Sequence, residues 1–229
     1  SEQRLIADTA RQFAEQHLVG KAAQRDRDSE FPAVELAKLA ELGLLGVNVP
    51  EALGGAQAGV VAYSLALSEI AAADASVSVA MAVTNMVAEI ICAFGTPEQQ
   101  KTWVPQLCSG AAVAGAFALS EAQSGSDAAS LRTKAEKIPG GYRLSGSKLW
   151  ITSGDRAGVL GVWARTDGPE FESARAGKAG KKGAADGISA FLVAQNTPGL
   201  TAGRPEHKLG LRGSTTVPLT LDGCEVPDG

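Results

Sequence analysis

At 229 residues the chain has room for one large domain or two ordinary ones. Hydrophobic residues make up 45% and charged residues 20%, the balance of a chain that buries a core rather than of a disordered one. A net charge of −4 argues against a nucleic-acid partner, which calls for a basic domain or stripe, and leaves room only for a local basic patch.

The N-terminus, Ser1-Glu2-Gln3-Arg4, carries no signal-peptide hydrophobic region. Ile6, Ala10, Phe13 and His17 then recur at helical spacing and draw one face of a first helix. Pro32 is placed as a first helical residue before a Leu36, Leu39, Leu42 stripe, with Gly43 as the stop. Leu65, Leu67 and Ile70 belong to a third helix. From Val77 to Phe94 the pattern is apolar nearly all round, the mark of a helix buried among others. No apolar run reaches the about 18 uncharged residues that span a bilayer. Thr96-Pro97-Glu98-Gln99 reads as a capping box opening a further helix, which carries Trp103 and Leu107 and stops at Ser109-Gly110. Four or five helices with short links predict an antiparallel helical bundle over residues 1–112.

After residue 112 the signals are those of strands. Ala114 to Leu119 is short and apolar. Leu131 to Ile138 alternates, Pro139-Gly140-Gly141 turns, and Tyr142 to Thr152 runs back as the second arm of a hairpin. Val159 to Arg165, Ile188 to Ala194, Leu200 to Glu206 and Val217 to Leu221 are further strands. With no helical pattern between them, residues 113–229 predict an antiparallel sheet or barrel, so the fold class is α+β. The Gly-, Ala- and Lys-rich stretch 173–183 reads as a solvated loop, or as a basic loop that attracts a phosphorylated ligand.

Cys92, Cys108 and Cys224 are odd in number and far apart, which argues against a disulfide framework or a zinc site and suits a reducing compartment. Neither His17 nor His207 has a second histidine or a carboxylate cluster beside it, so no metal site is expected.

Two stretches carry chemistry. Phe117-Ala118-Leu119-Ser120-Glu121-Ala122-Gln123-Ser124-Gly125-Ser126-Asp127 leaves a strand and becomes a small, polar loop. Its backbone N–H groups, glycine and serine hydroxyls suit an anion or the polar edge of a heterocycle. The same composition also makes an ordinary turn between strands. The spacings of dinucleotide-binding and phosphate-binding glycine loops are absent, and so is the hydrolase serine motif, with no histidine placed to activate Ser124 or Ser126. The second stretch is Lys148-Leu149-Trp150-Ile151-Thr152-Ser153-Gly154. Its Trp150 is either a core residue or a flat cofactor platform.

Together, in this order and after this helical half, the two stretches resemble the acyl-CoA dehydrogenase family. Supporting matches are Glu41 to Gly46 leading into Pro50 to Gly55, Gly95 to Lys101 before Trp103-Val104-Pro105, Lys208 to Thr216, and Cys224 to Pro227. The resemblance covers essentially the whole chain. It departs at Ala122, where the family usually has proline, and at Gln123-Ser124, which replaces small residues. Without the proline's fixed φ the loop is expected to be less rigid.

The resemblance implies FAD as cofactor and an acyl-CoA thioester as substrate. By match, Phe117, Leu119 and Ser120 line the isoalloxazine, Gly125 and Ser126 meet the pyrophosphate, and Ser126 also lies near the acyl-CoA. Trp150 packs against the ring system, and Ile151 and Thr152 follow along it, with Thr152 near N5. The family reaction removes an α-proton with a glutamate while a β-hydride passes to the flavin, giving a trans-2-enoyl-CoA. The electrons leave through an electron-transfer flavoprotein. It also implies a homo-oligomer, dimer or tetramer, in the bacterial cytoplasm or the mitochondrial matrix, not secreted. No acid here matches the base, which the family carries on a further helical domain, so the 229 residues alone are expected to be inactive. The alternatives are a non-catalytic flavin- or CoA-binding scaffold and a related acyl-CoA oxidase-like flavoenzyme.

Overall fold

A computed structural model describes residues 1–166 and 187–228; the basic stretch 173–183 lies outside them. The first half is helical: α1 (Glu2–His17), α2 (Ala22–Asp28), α3 (Ala33–Glu41), α4 (Gly59–Ala73), α5 (Ala75–Phe94) and α6 (Pro97–Cys108). The second half holds β1 (Gly115–Ala118), β2 (Lys134–Ile138), β3 (Gly141–Thr152), β4 (Val159–Arg165), β5 (Ile188–Ala194), β6 (Leu200–Ala202) and β7 (Thr216–Pro227).

The helices start and stop where local chemistry dictates. Thr96 accepts from the Gln99 N–H while the Gln99 side chain accepts from the Thr96 N–H, so the expected capping box forms at α6. Gly43 takes the left-handed φ of +72° that ends α3. Pro32 proves to be the N-cap of α3 rather than its first helical residue. The additional helix, α2, has no apolar stripe to read: its one buried side chain is Arg25, held by Asp74 at 2.8 Å and Glu35 at 2.7 Å.

α5 is the axle of this half. By length and composition alone it could cross a membrane, although its single charge, Glu89, keeps its uncharged run short of 18 residues, as the sequence reads. Half of it is buried inside this protein. Asn85 on its inner face accepts from the Val47 N–H at 2.9 Å and donates to the Leu44 carbonyl at 2.9 Å. The apolarity therefore has a packing cause.

The strands form one curled sheet. β6, β7, β3 and β2 are antiparallel neighbours; β4 pairs antiparallel with β5 on one edge and parallel with β1 on the other, where Lys134 of β2 also meets Arg165. The sheet is mixed, then, rather than wholly antiparallel. The β2–β3 hairpin lies between β1 and β4 in sequence and acts as the crossover that a parallel pair requires. Strand bounds also differ, by one residue at both ends of β1 and at the starts of β3 and β7, and by more at three others. β2 begins at Lys134, because the Arg132 and Thr133 N–H groups bind a carboxylate instead of a ladder. β6 ends at Ala202. β7 runs on to Pro227, because Asp222-Gly223 is a bulge with Gly223 at φ +67° and not a terminating turn.

The halves dock through α5 and β1. A Cβ on Gly115 would stand 2.8 Å from Val87 Cβ, and the Gly115 N–H donates to Thr84 Oγ1 at 3.2 Å. Arg212 adds a second tie to Asp26 on α2, and the Phe31 ring packs against the cores of both halves.

Candidate functional site

The two motif stretches meet where β1 runs out beside β3. Leu149 N–H donates to the Ser120 carbonyl at 2.9 Å. Lys148, fully buried, donates from Nζ to the Leu119 carbonyl at 3.0 Å and to Glu121 Oε1 at 2.8 Å.

A one-residue bulge in β3 decides what this junction presents. Lys148 pairs with Leu219 but Ile151 pairs with Val217, so three steps on β3 match two on β7. Strict alternation would put Trp150 on the same face as buried Lys148. The extra residue reverses the later pattern instead: Trp150 is 61% exposed and Ile151 is buried in the sheet's core. Trp150 holds φ at +57°, a left-handed conformation that costs a bulky L-residue about 1–2 kcal/mol. Trp150 is thus a largely exposed aromatic held in a strained backbone conformation at the bulge.

Glu121 organises the loop. Its Oε1 accepts from Lys148 Nζ, from Thr133 N–H at 3.0 Å and from Thr133 Oγ1 at 2.6 Å; its Oε2 accepts from Arg132 N–H at 2.6 Å and Gln123 Nε2 at 2.8 Å. Burial alone would raise the carboxyl, but these donors hold it at about 2. Burial pushes the Lys148 ammonium down, against the opposing pull of Glu121. The partners respond unequally because neutral donors also serve the carboxylate, whereas Lys148 has one anion and one carbonyl. The carboxylate is the firmly fixed charge of the two.

The Ala122 loop, expected to be less rigid, carries hydrogen bonds of its own. Gln123 is tied to Glu121, and buried Ser124 donates from Oγ to the Asp127 carbonyl at 2.8 Å. A backbone bridge joins Glu121 and Ser124. Of the three residues that depart from the family pattern, Gln123 and Ser124 thus supply hydrogen bonds in a loop that lacks proline's constraint.

The other expected site residues divide into four sets. Ser120 and Thr152 are half-buried, and neither hydroxyl has a hydrogen bond among the described residues. Gly125 and Ser126 are exposed, with open space where a Cβ on Gly125 would stand. Leu119 and Phe117 are half-buried, and the Phe117 ring meets Trp163 edge-on at 5.8 Å while packing toward α5 and α6. Ile151 has only its backbone to offer. The donor set fits a flat heteroaromatic with a polar edge: an exposed indole, two uncommitted hydroxyls and an open glycine-serine turn. What the sequence reading missed is the joint burial of Glu121 and Lys148. Only the motif itself hinted at it, since neither residue type signals burial.

No group of three or more metal-ligating side chains gathers among the described residues. Cys108 and Cys224 are buried free thiols, and Cys92 is half-buried.

Comparison with known proteins identifies the family. The family models for the acyl-CoA dehydrogenase N-terminal domain and middle domain match residues 1–111 and 116–224. Mouse mitochondrial short-chain specific acyl-CoA dehydrogenase is 42% identical over 224 residues, 97% of this chain and 51% of that protein. An acyl-CoA dehydrogenase of Bacillus subtilis is 42% identical over 99% of this chain and 56% of its own length. A glutaryl-CoA dehydrogenase from Mycobacterium smegmatis in complex with FADH2 superposes with a TM-score of 0.87 at 34% identity, covering 99% of this chain and 54% of that one. The chain spans about half the length of the curated relatives it matches. On these grounds, the chain belongs to the acyl-CoA dehydrogenase family, whose cofactor is FAD.

Proposed function

We propose that this chain supplies the flavin-facing wall of an FAD-dependent acyl-CoA dehydrogenase that oxidises an acyl-CoA thioester to the trans-2-enoyl-CoA. The observation that supports it most is Trp150, turned outward by the bulge beside the free hydroxyls of Ser120 and Thr152. FAD, when bound, supplies the acceptor for the hydride leaving the acyl β-carbon. Trp150 offers its indole face to the ring system. Ser120 and Thr152 offer hydroxyls to its polar edge and to the neighbourhood of N5, with Phe117, Leu119 and the Ile151 backbone along it. Preorganised donors there stabilise negative charge developing on reduction. Gly125 and Ser126 serve the pyrophosphate, and Ser126 also the acyl-CoA.

Glu121 is not the base. A carboxyl held at about 2 has little affinity for a proton at neutral pH, and both its oxygens are already occupied. The base belongs to the part of the relatives that these residues do not match. On this reading the domains are residues 1–112 and 113–229, and the whole protein is a homo-oligomer that passes its electrons to an electron-transfer flavoprotein. Its place is the bacterial cytoplasm or the mitochondrial matrix.

The test is FAD titration followed by anaerobic mixing with acyl-CoAs of varied chain length. The 229 residues alone are expected to give little or no flavin bleaching, and the full protein rapid bleaching with at least one thioester. Bleaching by the 229 residues alone would overturn the missing base; a full protein that ignores FAD would overturn the flavin wall.

A further inference from the structure

We propose that Lys148 and Glu121 are positioning residues for the flavin-facing groups, an inference that rests on the flavin reading above. Two consecutive residues of β3 grip three consecutive residues beyond β1. Lys148 Nζ holds the Leu119 carbonyl and the Glu121 carboxylate, and the Leu149 N–H holds the Ser120 carbonyl between them. The residue after Leu149 is Trp150, at the bulge. Any shift of Lys148 therefore moves Ser120 and Trp150 relative to each other. Neither of those side chains has a hydrogen bond of its own among the described residues, so their placement is inherited from this clamp.

Stability alone does not account for such a pair. Lys148 is 0% and Glu121 4% exposed, and an apolar pair of similar volume commonly stabilises a protein as well or better. What an apolar pair lacks is direction. Five hydrogen bonds to Glu121 converge from Lys148, Thr133, Arg132 and Gln123 and set one register between the two stretches.

The experiment compares wild type, K148M and the double variant E121Q/K148M in the full protein reconstituted with FAD. It reads folding stability, FAD affinity by fluorescence quenching, and the visible circular dichroism of the bound flavin. K148M is expected to lose both stability and FAD affinity. E121Q/K148M is expected to recover much of the stability, since no charge is left unpaired, yet to stay about tenfold weaker for FAD with an altered flavin dichroism. Wild-type affinity and dichroism in the folded double variant would reduce the pair to a packing role and sink the proposal. Should both Met variants fail to fold, Thr133→Val removes only the 2.6 Å hydroxyl donor to Glu121. It is expected to change the flavin dichroism in the same direction by less, and an unchanged spectrum counts against the clamp. Wild type that binds no FAD overturns the flavin reading itself, a result distinct from all of these.

Discussion

Replacing Lys148 by methionine removes a cation from a site with no solvent access and keeps most of its volume. The carboxylate of Glu121 is left 4% exposed with its charge uncompensated. Breaking a buried pair in this way costs about 3–5 kcal/mol. Glu121 keeps four hydrogen bonds from neutral donors, the N–H and hydroxyl of Thr133, the Arg132 N–H and the Gln123 amide, which places the expected loss at the low end, about 3 kcal/mol. That is a large share of an ordinary domain's stability of roughly 5–15 kcal/mol. Urea unfolding followed by far-UV circular dichroism measures it, as a lower midpoint at unchanged slope. In a chain of this size the same loss lowers Tm by about 6–12 °C. The deficit should shrink on acidification, because protonating Glu121 removes the stranded charge. A deficit below about 1 kcal/mol, or one that does not depend on pH, would refute the buried pair as described.

Wild type carries the complementary pH dependence. The Glu121 carboxyl sits at about 2 in the folded protein against an ordinary 4.5, a difference worth roughly 3 kcal/mol. This stability is fully present above about 4.5, and is lost as pH falls through about 2; E121Q should flatten that part of a stability-versus-pH curve. Trp150→Gly relieves a left-handed φ of +57° at a largely exposed side chain, so thermal stability should hold or rise by about 1 kcal/mol while FAD affinity falls; a clear drop in Tm would show the ring to be structural. Gly115→Ala places a Cβ 2.8 Å from Val87 Cβ where α5 docks on β1, and overpacking there should cost about 1–3 kcal/mol in thermal unfolding. An unchanged Tm would mean that the interface yields freely.

Several features of this protein are local, and the chain alone determined them. The capping box at Thr96, the helix stop at Gly43 and the Pro139-Gly140-Gly141 hairpin each depend on residues within one turn of one another, so they read directly from the sequence and stand in the structure. The order of the helical and strand halves follows equally from periodicity. α2 escaped because its buried side chain is an arginine, whose partners Asp74 and Glu35 lie 49 and 10 residues away. The parallel pairing of β1 with β4 and the length of β7 also depend on partners distant in the chain.

The motif residues Phe117 to Asp127 and Lys148 to Gly154 were legible as a pattern, but the arrangement of their side chains was not. Alternation along β3 would turn Trp150 inward and Ile151 outward; the bulge opposite Leu219 and Val217 reverses both. Lys148 and Glu121 read as ordinary charged residues until the fold closes β1 against β3 and takes both out of water. Register and burial are set by pairing between segments, and a single strand carries no record of where its partner will slip by one residue.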